Sequence, residues 1–166
     1  MSIRQEDSEK NADKAKVEQY LSFIMDTEEY AVGILSVREI RGWESVTPIP
    51  NTPDYVKGFI NLRGIVVPII DLRQRFNLDV VEYTDTTVVI ILNTTDQIDC
   101  QNLVGIIVDA VSEVYDIAPD SVREPPNLGS QIDTRFIKGI VEINDKMIIL
   151  TEVQTLLDTE ELFRSD

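Results

Sequence analysis

The stretch Tyr55–Phe76, YVKGFINLRGIVVPIIDLRQRF, sets runs of branched aliphatic residues on either side of Arg63-Gly64. Two such runs around a glycine predict a β-hairpin with its tip at Arg63-Gly64. Hairpin tips favour Asn, Asp and Gly, which tolerate positive φ. An arginine at the tip therefore poses a question, and the other half of the chain helps to answer it.

A shift of 81 positions (136 − 55) lays Tyr55–Leu72 on Phe136–Val153, pairing Lys57 with Lys138 and Gly58 with Gly139. A shift of 74 (104 − 30) lays Tyr30–Ile40, YAVGILSVREI, on Val104–Val114, VGIIVDAVSEV, pairing Val37 with Val111 and Glu39 with Glu113. The seven extra residues (81 − 74) fall in the loop that carries Pro119, Pro125 and Pro126. One supersecondary unit used twice predicts two small barrels or curled sheets side by side, not one large sheet. At the hairpin tip the second copy has Asn144-Asp145, ordinary turn chemistry. Gly64 keeps the permissive backbone in the first copy, while Arg63 adds a planar cation that a turn does not need. Two readings stand: a solvated surface arginine, or a guanidinium that anchors a carboxylate through its bidentate fork.

Composition supports a mostly β protein. The 166 residues suffice for one domain or two joined halves with a real core. They include 21 Ile and 18 Val against 5 Ala, which favours half-buried strands over helices. Gln19–Met25 reads as a strand, Asp26–Glu29 as a turn, and Tyr30–Ile40 as a second strand. Pro48, Pro50 and Pro53 exclude a central strand from the loop that follows. The first copy ends in DLRQRF, enough for one turn of helix. The second ends in TEVQTLLDTEELF, where Thr151 and Gln154 have capping-box spacing and Val153, Leu156 and Leu157 share a face. Met1–Glu18 carries nine charges and little to bury, the composition of a disordered lead-in, so folded structure is expected from Gln19.

The net charge of −15 repels phosphate backbones and anionic lipid. The absence of histidine excludes Ser-His-Asp and Cys-His catalysis and imidazole ligation of metals. Cys100, in a polar stretch without a second cysteine, cannot form an internal disulfide. Asp96 and Asp99 nearby match no metal-ligand spacing. Neither a Walker-type nor a dinucleotide-type glycine loop is present. The start of the chain lacks signal-peptide features, and no apolar run reaches the ~18 residues of a membrane span, so a cytoplasmic protein is expected. In VREIRGWE the apolar residues alternate with charged ones, and Trp43 follows where that pattern breaks, either capping the core or anchoring an interface.

The blocks EEYAVGILSVREIRG, NTPDYVKGFINLRGIVVPIIDLR and VGIIVDAVSEV carry a resemblance. From about Gln19 to about Phe163 the chain resembles the CheW family, the coupling proteins of bacterial chemotaxis. The resemblance implies two intertwined five-stranded, SH3-like β-barrel subdomains sharing a core, with a C-terminal helix. They would occupy residues 19–166, with the seam crossed near 81–92, behind the charged tail 1–18. It implies an adaptor without catalysis or cofactor. Such a protein links the cytoplasmic tips of methyl-accepting chemotaxis receptors to the regulatory domain of the CheA histidine kinase, in the cytoplasm at membrane-associated arrays, with neither nucleic acid nor membrane insertion involved.

The receptor-binding positions carried over by motif are Val37 and Glu39 in SVREI, Gly58 in VKGF, Arg63 in NLRG, Val88 in TTVVII and Val111 in DAVSEV. No kinase-contact residue is assigned. Arg63 is expected to reach Glu39 and frame one edge of an apolar groove between the two subdomains. The segment Asn93–Asn102 is longer and more polar than the family pattern, so contacts there are not carried over.

Two rivals from other classes are an oligonucleotide-binding small β barrel and a hydrolase using two carboxylates. The first needs a basic, aromatic face, against which stand 15 Lys and Arg and 30 acidic residues. The second needs two facing carboxylates with separated pKa values. A gel-shift assay at low salt is expected to show no complex with single-stranded DNA or RNA; a retarded band would favour the oligonucleotide reading.

Overall fold

Three hairpins close on two-residue turns with left-handed backbone: Asp26-Thr27 (φ 52°, 70°), Arg63-Gly64 (51°, 87°) and Asn144-Asp145 (52°, 65°). Such turns match the right-handed twist of antiparallel strands. They join β1 (Glu18–Met25) to β2 (Glu28–Gly33), β4 (Val56–Leu62) to β5 (Ile65–Asp71), and β9 (Ile137–Ile143) to β10 (Lys146–Thr151). The remaining strands are β3 (Val37–Gly42), β6 (Val88–Asn93), β7 (Leu103–Val108) and β8 (Ala110–Ile117). Two single-turn helices, α1 (Leu72–Arg75) and α2 (Val153–Leu156), follow β5 and β10. The computed structural model describes residues 17–94, 102–125 and 134–158. The charged lead-in up to residue 16, Asp96, Asp99, Cys100 and the end of the C-terminal helical stretch lie outside the described residues.

The strands form two five-stranded sheets, ordered β8-β1-β2-β10-β9 and β3-β6-β7-β5-β4. Each sheet takes two strands from one sequence repeat and three from the other, so the expected intertwining is an exchange of strands. The sheets match position by position, each with one parallel pair, β2 with β10 and β7 with β5. Beyond β3, Thr47 pairs with Phe59 on β4, the opposite edge; beyond β8, Arg123 pairs with Ile140 on β9. Both bridges curl their sheets, as the expected SH3-like subdomains require.

Three expectations change. The run Tyr30–Ile40 is not one strand, because a 3-10 turn at Ile34–Ser36 breaks it and carries the chain from the first sheet to the second. Its repeat partner breaks at Asp109, where the chain returns. The crossings thus fall at these two points and not near 81–92, since β5 and β6 belong to the same sheet. The alternating pattern runs through a short break, so periodicity alone conceals it. The capping box at Thr151 also gives way: the Thr151 hydroxyl donates to the buried Ala31 carbonyl at 2.9 Å, and Glu152 takes the N-cap position. Val153, Leu156 and Leu157 are buried as expected.

Alternate residues of the central strands serve two cores. On β6, Ile90 and Leu92 enter a core shared by both sheets, while Val89 and Ile91 enter one belonging to their own sheet. On β10, Ile149 faces the shared core, and Ile148 and Leu150 face the other sheet's own. An aromatic ladder runs through the shared core: Phe23 to Tyr30 (5.9 Å), Tyr30 to Phe76 (5.7 Å) and Phe76 to Phe136 (6.2 Å between centroids). The Arg75 guanidinium lies over the rings of Phe136 (4.7 Å) and Tyr55 (5.0 Å).

A polar network locks the second crossing. Arg73, on α1, donates from Nε and Nη2 to both oxygens of Asp109 (2.9 and 2.8 Å) and from Nη1 to the Asp79 carbonyl (3.0 Å). Its side chain is only 10 % exposed. Asp26, in the β1–β2 turn, donates its N–H to Asp109 (3.0 Å) and sets its carboxylate 3.5 Å from Arg73. Asp71 caps α1 by accepting from the Arg73 N–H (2.9 Å), and Tyr83 donates its hydroxyl to Asp71 (2.7 Å). Burial alone would raise the Asp109 carboxyl, but hydrogen bonds from Arg73 and the Asp26 N–H, with the guanidinium charge, outweigh it and hold the carboxyl below its ordinary value.

With the folded pKa below the unfolded one, the Asp109 contribution is complete above pH ~4 and drains away as pH falls through the folded value. Replacing Arg73 by Leu leaves the partly buried Asp109 carboxylate without its cation and is expected to cost about 2 kcal/mol by urea denaturation at pH 7. Asp109→Asn should flatten the loss of stability below pH ~4; a variant with an unaltered acid limb would show that Asp109 is not its source.

Candidate protein-binding site

The β4–β5 tip and strand β3 belong to opposite edges of the second sheet and meet where that sheet curls on itself. Arg63 Nη1 lies 3.7 Å from Glu39 Oε2, and Arg41 Nε lies 4.0 Å from Glu39 Oε1. Arg41 also approaches Glu44 at 3.9 Å. Glu39 thus offers one oxygen to each arginine, so Arg63 reaches Glu39 as expected but through one nitrogen and not through a bidentate fork. The Arg63 side chain is 79 % exposed and that of Glu39 30 %, so the pair contributes only ~0–1 kcal/mol and acts chiefly on orientation. The tip is held independently, since the Gly64 N–H donates to Asn61 Oδ1 at 2.8 Å. Arg38, Glu39 and Arg63, with Leu62, Ile65 and Leu103, line a cleft of about 240 Å³. Charged residues form its rim and aliphatic residues its floor.

The other expected positions divide by what they touch. Val37 on β3, Val88 on β6 and Val111 on β8 are partly buried and pack against the shared core. Val37 pairs with Leu92, Val88 with Gly42 and Val108, and Val111 with Phe23. Three strands of two sheets therefore bring these valines to the shared core, whereas Glu39 and Arg63 rim a cleft lined by the second sheet alone and not the expected groove between the two subdomains. Gly58 has a different role. Its φ is +151°, and a Cβ there would sit 2.2 Å from the Thr47 carbonyl oxygen. Only glycine lets the returning loop pair with Phe59, through Thr47 N–H to Phe59 O (3.0 Å) and Phe59 N–H to Thr47 O (2.8 Å).

Sequence reasoning missed Arg38, Leu62, Ile65 and Leu103 as lining residues; the signal within reach was that Arg38 falls on Ser112 under the 74-residue shift. It also gave no role to Arg73, Asp71 and Asp109, whose spacing shows no chemistry until the chain folds. Trp43 rests on Tyr83 with centroids 4.4 Å apart and packs against the second sheet's own core, which answers the question left over its position. Among the described residues no group of three or more His, Cys, Asp or Glu could hold a metal ion, and no helix is long and apolar enough to cross a membrane.

Comparison with known proteins agrees with this architecture. A family model described as the CheW-like domain matches residues 19–161. A chemotaxis protein CheW from Klebsiella aerogenes is 42 % identical over 145 residues, covering 87 % of this chain and 84 % of that protein. Another from Bacillus subtilis is 35 % identical over 144 residues, covering 86 % and 88 %. Among solved structures, the scaffolding protein TtCheW from Thermoanaerobacter tengcongensis aligns with a TM-score of 0.74 at 36 % identity, over 84 % of this chain and 87 % of that one.

Gly58→Ala is expected to lower stability by at least about 2 kcal/mol, from positive φ and the collision with Thr47. Gly42→Ala, where an added Cβ meets nothing within 4 Å, should stay within about 0.5 kcal/mol of the parent. Equal melting temperatures for the two variants would mean that the loop does not need glycine at position 58.

Proposed function

The chain belongs to the CheW-like domain family, and from that premise we propose that it is a non-catalytic adaptor coupling the cytoplasmic tips of methyl-accepting chemoreceptors to the histidine kinase CheA. It works in the cytoplasm and is recruited to receptor arrays at the membrane. Val37, Glu39, Gly58, Arg63, Val88 and Val111 serve receptor coupling, two through the charged rim, three through the edge of the shared core and Gly58 by holding its loop.

The observation that carries this reading is the Arg63–Glu39 pair at the rim of an aliphatic-floored cleft. The corresponding turn of the second repeat, Asn144-Asp145, has the same left-handed backbone without the cation. Arg63 is thus surplus to the turn, and a surface guanidinium held beside apolar residues suits recognition of another protein. Apolar contacts with a few fixed charges also suit an array in which each contact is modest and repetition supplies avidity.

Arg63→Ala is expected to leave the melting temperature within about 2 °C of the parent. The same variant should reduce kinase activation in a reconstituted mixture of receptor fragment, CheA and this chain. Binding of the receptor fragment to the parent is expected in the micromolar range, where 1 μM corresponds to about −8 kcal/mol. A parent chain that pulls down neither receptor fragment nor CheA would overturn the adaptor reading, and unfolding of Arg63→Ala would make that arginine structural.

A further inference from the structure

The pairing of β3 with β6 contains an irregularity at one residue. Val37 faces Leu92 and Glu39 faces Ile91, so Arg38 is the extra residue of a β-bulge. A regular strand would send Arg38 and Glu39 to opposite faces, but a bulge re-aims its side chain. The result is visible in the cleft, which both residues line together with Arg63. The second repeat has the corresponding irregularity, since β8 spends the residues from Val111 to Val114 against Phe23 to Leu21. There Ser112 stands where Arg38 stands in the first repeat, and Glu113 where Glu39 does. The bulge therefore forms without a cation at that position, as the hairpin turn does at Asn144.

Both guanidinium groups of the cleft are thus additions to a backbone that forms without them. Arg63 is matched by Glu39, whose other oxygen is taken up by Arg41. Arg38 makes no ion pair with any described residue, in a chain with twice as many acids as bases. The cleft therefore has more positive than negative side chains on its rim, against a net charge of −15 for the whole. At about 240 Å³ it is smaller than the ~300–1,000 Å³ typical of small-molecule sites, and its floor of Leu62, Ile65 and Leu103 is aliphatic.

Resting on the adaptor reading above, we infer that Arg38 is a charge-selecting contact: the cleft takes a segment of the receptor tip in which a carboxylate, facing Arg38, stands beside an aliphatic side chain that covers Leu62, Ile65 and Leu103. The carboxylate pairs with Arg38, while Glu39 keeps Arg63 turned along the rim and repels an acid presented in the wrong register. Attraction at one point and repulsion beside it together set register.

The test is a calorimetric titration of the full chain with a soluble cytoplasmic fragment of a methyl-accepting receptor, at low and high salt. Arg38→Glu is expected to weaken binding about tenfold or more and to reduce its salt dependence, with Arg38→Lys within about threefold of the parent. Melting temperatures should match, because Arg38 is exposed and unpaired among the described residues. Single Asp→Arg and Glu→Arg changes across the receptor fragment should include one that restores binding to Arg38→Glu. Parent-like affinity and salt dependence for Arg38→Glu would overturn the inference while leaving the adaptor reading intact. Failure of the parent chain itself to bind the fragment would remove the adaptor reading and this inference with it.

Discussion

The bidentate bond of Arg73 to Asp109 holds the point where the chain leaves one sheet for the other. Each sheet is completed by strands from the opposite repeat, so neither repeat can close its own sheet. The exchange requires two crossings, and the second spans a single residue between β7 and β8. A one-residue crossing leaves backbone and side-chain polar groups close to the shared core, where each needs a partner. Asp109 meets that need in three ways: its N–H donates to the Ile24 carbonyl at 3.1 Å, one oxygen accepts from Asp26, and both accept from Arg73. The β1–β2 turn, the crossing and α1 therefore share one set of hydrogen bonds, and displacing any of them disturbs the others.

That constraint reaches Val37 and Val111 through the shared core, while the floor of the cleft belongs to the second sheet's own core. Leu92 on β6, the cross-strand partner of Val37, lies in the same cluster as Phe23 on β1, the partner of Val111. Val37 and Val111 are equivalent under the 74-residue shift, and strand exchange brings them to one hydrophobic mass from different sheets. A helix pressed against either valine would be read by both sheets, because the atoms behind it belong to both. Packed cores transmit displacement because they are dense. This gives a physical meaning to mechanical coupling between the two sheets.

Much of this was legible in the residue order. The 81-residue shift places β4 on β9 end to end, and the Arg63-Gly64 tip on Asn144-Asp145, as found. The charge pattern of VREIRG predicted a strand, whereas the pairing of Arg63 with Glu39 rested on the resemblance, because tip and strand belong to opposite edges of the sheet and only its curl brings them together. The exchange of strands was not legible, because hydrophobic alternation records which face a residue occupies and not which neighbour it pairs with. The break at Ile34–Ser36 keeps apolar residues in an apolar run, so it resembles continued strand. The bulge at Arg38 escaped for a related reason: an inserted residue shifts pairing without changing composition. Arg73 and Asp109 are 36 positions apart, and only the crossing brings them together.

The energetics of the hairpin tip bear on why an arginine stands there. A residue other than glycine held at left-handed φ loses roughly 1–2 kcal/mol relative to the ordinary helical region, with Asn and Asp least affected because they bond locally. Arg63 sits at φ 51°, close to Asn144 at 52° in the equivalent turn. Its ion pair with Glu39 returns only ~0–1 kcal/mol at such exposure. Within the isolated fold the balance therefore favours asparagine at position 63. An ion pair too weak to matter for folding can still choose among orientations of a long side chain, because the alternatives on an exposed surface differ by similarly small amounts. Glu39 thus leaves stability nearly unchanged while restricting where the guanidinium points, so a partner meeting this rim encounters a cation already aimed, with less rotamer freedom left to lose on binding.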